Sequence, residues 1–152
     1  MKTTAQYGKQ ADLALSLWVK LARAAATFSQ LTGKDIEGYG LTQPQFSVVE
    51  SLGHLGPLTI GEISKKMLVT NGCVTVIIDN LERDGLVERI RGTKDRRVVS
   101  VALTSRGTAL FKRIFHQHAR RVTELAAVLT EDEQHQLSAL LRKLGLSLKE
   151  KQ

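Results

Sequence analysis

At 152 residues the chain has room for one domain with a modest core. Lys and Arg number 22 against 15 Asp and Glu, a net charge of +7, which favours a polyanionic partner such as nucleic acid or an anionic membrane surface. No segment has the length and apolarity of a membrane span or the pattern of a signal peptide, and a lone Cys73 excludes an internal disulfide, so a cytoplasmic protein is expected.

Leu13, Leu17, Leu21, Ala24, Phe28 and Leu31 recur at steps of three and four, the stripe of a long amphipathic helix, and the glycine-containing stretch 33–40 is expected to interrupt it. Three sites then have the form of a capping box, in which a Thr and a residue three positions on satisfy each other's exposed amides. Thr42 with Gln45 opens a helix carrying Phe46, Val49 and Leu52, and Thr59 with Glu62 opens a short one carrying Ile60, Ile63 and Met67. A further helix begins near Thr70 or Asn71, carries Val74, Ile77, Ile78 and Leu81, and stops at Gly85. Residues 86–90 and 98–103 form a β-hairpin around a polar tip at 91–97, since Val99, Val101 and Leu103 alternate with Ser100 and Ala102. Thr104 caps a long helix striped by Leu110, Ile114, Val122 and Leu125. The third box, Thr130 with Glu133, opens the last helix, with Leu137, Leu140, Leu141, Leu144 and Leu148.

This order predicts a mainly α fold with a small β-hairpin: a winged helix-turn-helix domain plus long N- and C-terminal dimerisation helices. One domain spans 1–152, with a DNA-binding lobe at about 41–104 and a helical dimerisation region at about 11–35 and 105–148. The end helices carry apolar faces while the middle block looks complete by itself, so a second copy of the chain is the simplest cover for them.

In a helix-turn-helix the second helix lies in the major groove with its first turns facing base edges. Thr70, Asn71 and Thr75 offer hydroxyl and amide groups there, and Gly72 permits close backbone approach. Taken in isolation, Thr70 reads equally as an N-cap and Thr75 as a solvated side chain. The hairpin adds Arg89, Arg91, Lys94, Arg96 and Arg97 against only Glu88 and Asp95. Guanidinium groups on such a ribbon can follow the phosphates or enter a narrow minor groove, where negative potential is enhanced.

The run from Thr70 to Val87, the wing residues Asp95-Arg96-Arg97 with Val101, Leu103 and Thr104, and the flanks Gly40-Leu41-Thr42, Leu58-Thr59 and Leu129-Thr130 resemble the MarR family of winged helix-turn-helix transcriptional regulators. The resemblance runs from about Leu13 to Leu148 and is strongest over Leu58 to Thr104. It implies that Arg97 enters the minor groove with Asp95 fixing it, and that Thr70, Asn71, Gly72 and Thr75 face the major groove. It also implies a homodimer through the first, fifth and sixth helices that reads an inverted-repeat operator. Val76 and Ile77 depart from the family pattern, standing where many members carry a longer polar or basic side chain.

The same resemblance places Trp18, Phe46, Phe111 and Phe115 around a cleft that in relatives often takes aromatic or phenolic effectors, although core packing is the more ordinary role of each. Cys73, at the start of the second helix of the motif, reads either as a redox switch or as a small residue filling a packed spot. His54, His116, His118 and His135 have no spacing that converges on a metal. No Ser/His/Asp, paired-carboxylate or phosphate-loop constellation is present, so an enzyme is not expected, and no cofactor or metal is implied. The expectation is a sequence-specific, double-stranded-DNA-binding regulator, a repressor released by a small aromatic molecule or an oxidative signal. The alternative is an architectural protein binding DNA with little sequence choice.

Overall fold

Local capping fixes where most of the helices begin. The computed structural model describes residues 7–91 and 99–149, with α1 (Lys9–Gly38), α2 (Gln43–Leu55), β1 (Leu58–Thr59), α3 (Ile60–Met67), α4 (Asn71–Arg83), β2 (Val87–Arg91), β3 (Val99–Leu103), α5 (Ser105–Ala126) and α6 (Glu131–Lys149). All three capping boxes form. Thr42, Thr59 and Thr130 accept from the backbone N–H three residues on, and Gln45, Glu62 and Glu133 accept in return from the Thr backbone at 2.9, 2.7 and 2.8 Å. Thr104 caps α5 by accepting from the Gly107 N–H at 3.0 Å while its hydroxyl donates to the Gly85 carbonyl at 2.7 Å.

The first helix is longer than its sequence suggests. Gly33 does not interrupt α1, which continues to Gly38. An interior glycine weakens a helix by only about 1 kcal/mol relative to alanine, and burial of Thr32 and Ile36 holds this turn in place. The chain leaves the helix through Tyr39 and Gly40, the glycine at φ +78°.

The hairpin is part of a three-stranded antiparallel sheet ordered β1-β3-β2. Its register pairs Val87 with Leu103, Arg89 with Val101 and Arg91 with Val99. The sequence does not announce β1: its two residues, pairing Leu58 with Val101, are too few to show alternation.

The chain divides into two compact units, 1–118 and 119–152. In the first, Val48, Val49, Ile63, Val74, Ile78, Leu81 and Val101 are fully buried, joined by Phe46, Leu52, Leu86 and Ile114. Two glycines allow the closest approaches. A Cβ on Gly53 would lie 2.5 Å from the Phe111 ring, and one on Gly107 would lie 2.0 Å from the Leu86 carbonyl oxygen. In the second unit α6 starts on an acidic turn, which suits the positive end of the helix dipole, and Gln134 donates to the Leu129 carbonyl at 3.0 Å. Leu137, Leu140, Leu141, Leu146 and Leu148 are exposed along α6. No described helix is long and apolar enough to cross a membrane.

Candidate nucleic-acid interface

Helices α3 and α4 meet through a three-residue connection, Leu68, Val69 and the N-cap Thr70. Leu68 takes the left-handed conformation (φ 57°, ψ 40°), and the Val69 N–H donates back to the Ser64 carbonyl at 3.2 Å. The turn is fixed by a bond that sequence reasoning missed: the buried Ser64 hydroxyl donates to Oδ1 of Asn71 at 2.6 Å, tying the first residue of α4 to α3.

Thr70 is the N-cap of α4; its hydroxyl accepts from the Cys73 N–H at 3.4 Å and donates to the Cys73 sulfur at 3.3 Å. The Thr75 hydroxyl donates to the Asn71 carbonyl at 2.9 Å. Gly72 is exposed and open, with only the Thr70 hydroxyl, 3.9 Å from where its Cβ would be. Cys73 is exposed, which overturns the reading of it as a packed filler. Val74, Ile78 and Leu81 seat the helix on the core. At about 100° per residue, Gly72, Val76, Asp79 and Arg83 fall on the opposite face.

The wing residues divide. The Arg89 guanidinium bonds the Asp79 carboxylate at 2.5 Å and also the Glu82 carboxylate, both on α4. The hydrogen bond to Asp79 and the nearby Glu82 charge raise its already high pKa further against a partial desolvation. Arg91, two residues along the same strand face, is exposed. Lys94, Asp95, Arg96 and Arg97 lie outside the described residues.

Three of the four aromatic residues named as a cleft lie close to two histidines, His54 and His118. His54 stands edge-on to Phe111 and Phe115 at ring separations of 5.1 and 4.4 Å, and Phe46 lies 4.6 Å from His118. Phe46 is buried in the core. Trp18 makes none of these ring contacts and is 64% exposed on α1. A separate recess of about 820 Å³ is lined by Tyr39, Leu41, Leu86 and Leu110 together with the charged Arg83, Asp84, Arg106 and Arg113.

A short helix, a tight turn, a helix with an outward polar start, and a basic two-stranded ribbon define the class: a winged helix-turn-helix DNA-binding protein. Residues 41–99 match the MarR family. The chain is 33% identical to the HTH-type transcriptional regulator MhqR of Bacillus subtilis over 91% of its own length and 96% of that protein's. It is also 33% identical to the HTH-type transcriptional repressor MdtR of the same organism, over 74% of this chain and 72% of that one. Among solved structures, a mutant MarR from E. coli complexed with operator DNA superposes with a TM-score of 0.76 at 28% identity, covering 90% of this chain and 99% of the other. The chain belongs to the MarR family of transcriptional regulators, which are not enzymes.

Proposed function

We propose that the protein is a homodimeric repressor that reads an inverted-repeat operator through α4 and the wing and leaves it when a small molecule binds. The observation that carries the DNA half is the alignment of the exposed α4 face with the basic strand β2, which Arg89 joins into one surface. The operator-bound MarR relative and the repressor MdtR support it by likeness. The first turns of α4 supply register, Arg91 and the tip residues Lys94, Arg96 and Arg97 supply phosphate or minor-groove contacts, and Asp95 orients the tip. Arg89 then serves as a brace rather than a phosphate contact, because its guanidinium already has two carboxylates.

For the effector, the recess lined by Tyr39, Arg83, Arg106 and Arg113 is better suited than the Phe46, Phe111 and Phe115 rings, which pack against one another and the histidines. Its three arginines outnumber the single carboxylate of Asp84 and stand beside leucines, a lining that fits an aromatic carboxylate or phenolate. The end of α4, the wing root at Leu86 and α5 all contribute to it, so an occupant would act directly on the reading head. An oxidative signal would instead act at the exposed Cys73 thiol.

Selection of bound fragments from random duplex tests the reading. Inverted repeats with half-sites about one helical turn apart are expected. Equal retention of random and selected duplex would favour the architectural alternative. Release of the selected duplex by benzoate- or phenol-type ligands, lost in Arg113→Ala, checks the recess; release unchanged in that variant would place the effector elsewhere.

A further inference from the structure

The reading helix of this protein presents an apolar group where a polar one is expected. At the groove-facing start of α4 the sequence offers Thr70, Asn71 and Thr75 for base contacts, yet each has a side-chain oxygen engaged within the fold. The Thr70 hydroxyl caps the helix, Oδ1 of Asn71 accepts from Ser64, and the Thr75 hydroxyl proton goes to the Asn71 carbonyl. What remains outward, opposite the buried Val74, Ile78 and Leu81, is Val76 at 61% exposure, with Gly72 one turn earlier leaving open space beside it. Farther along the same face Asp79 is held by Arg89, and Arg83 donates to Asn80 at 2.9 Å.

An isopropyl group pressed against a base-edge donor or acceptor strips it of water and gives no hydrogen bond in return. Among the groups that base pairs display in the major groove, the thymine 5-methyl is the one that an isopropyl group can meet without that penalty. Resting on the reading of α4 as the major-groove helix, we propose that Val76 is a specificity-determining residue that packs on a thymine 5-methyl in each half-site. The gap at Gly72 lets the duplex come close enough for so short a side chain to reach. Discrimination at that step is by shape and apolar contact; the amide donors left on Asn71 can position the helix on phosphate.

The test uses the full chain and an operator obtained by selection. Each thymine of the half-site is replaced singly by deoxyuridine, which removes the methyl and leaves every hydrogen-bonding group. At one position this should weaken wild-type binding about threefold to tenfold, the range expected for losing one buried methyl contact. Val76→Ala should bind the thymine operator more weakly by a similar factor and be indifferent to the replacement at that position. A 5-methylcytosine–guanine pair there should outbind cytosine–guanine for wild type and not for Val76→Ala. Alanine on an exposed helix position leaves the fold intact, which circular dichroism checks. Deoxyuridine replacements that affect the two proteins equally, or not at all, overturn the inference while the regulator reading stands. Selection that enriches no sequence overturns both.

Discussion

Single residues in this chain matter most where backbone comes close to backbone. Gly107 sits against the Leu86 carbonyl, an oxygen that also accepts from the Thr104 N–H at 3.1 Å, so neither side can yield without breaking the joint between wing root and α5. Gly107→Ala is expected to destabilise by about 1–3 kcal/mol or more, as an overpacked core does. Gly61→Ala on α3, where a Cβ meets open space, should be neutral or stabilising by up to about 1 kcal/mol. Urea denaturation of the pair measures the contrast. Glu62 carries a second expectation. Its carboxylate accepts from the Thr59 backbone and hydroxyl, which lowers its pKa, with smaller help from Lys66 and Lys65. A carboxyl whose folded value is depressed adds stability above its unfolded value and loses it as pH falls through the folded one. The α3 cap should therefore weaken through the acid range. Glu62→Gln keeps the geometry that Gln45 already uses in α2, and denaturation midpoints across pH should show a shallower acid slope for it.

Elements of secondary structure were legible wherever the signal was local. Capping boxes lie within four residues, and the stripes of α2, α4 and α5 repeat within one helix, so their starts and buried faces follow from sequence. The end of α1 did not, because Gly33 reads as a breaker while the burial of Thr32 and Ile36 that overrides it comes from other elements. The site was legible in outline and not in its bonding. Which side chains stay free on α4 depends on Ser64 and on Arg89, seven to ten residues from the groups they bond. From sequence Arg89 reads as a DNA contact, and nothing local shows Asp79 and Glu82 beneath it. Arg89→Ala should weaken binding to all duplexes, since it frees the wing and bares two carboxylates beside the DNA face. Arg91→Ala should instead flatten the dependence of log affinity on log salt by about 0.9, one phosphate contact. Removing the carboxylates with Asp79→Asn and Glu82→Gln should recover part of the Arg89→Ala loss. Anisotropy titrations across salt separate the cases; a full contact's change in slope for Arg89→Ala would make it a phosphate ligand.

At the scale of the whole molecule, the two units leave apolar surface that their own folds do not cover. In the first, Leu13, Leu17 and Trp18 are exposed on α1. In the second, Leu140 is 65% exposed among its neighbouring leucines on α6. Fully burying a leucine side chain gains about 1.5–3 kcal/mol, so several covered together on these faces offset the cost of association and favour pairing of two chains. The proposed dimer would also set how the reading heads work. Each head makes only a short helix and one wing available, and linking two of them turns the second binding event into an intramolecular one, raising affinity for paired half-sites without any new contact. Two outcomes are expected. The melting temperature should rise with protein concentration, as for any fold stabilised by association. Leu140→Glu should sediment as a monomer and lose its preference for the inverted repeat over a single half-site, while its affinity for the half-site changes little. A Leu140→Glu chain that stays dimeric, or a monomer that keeps the preference, would remove α6 from the assembly.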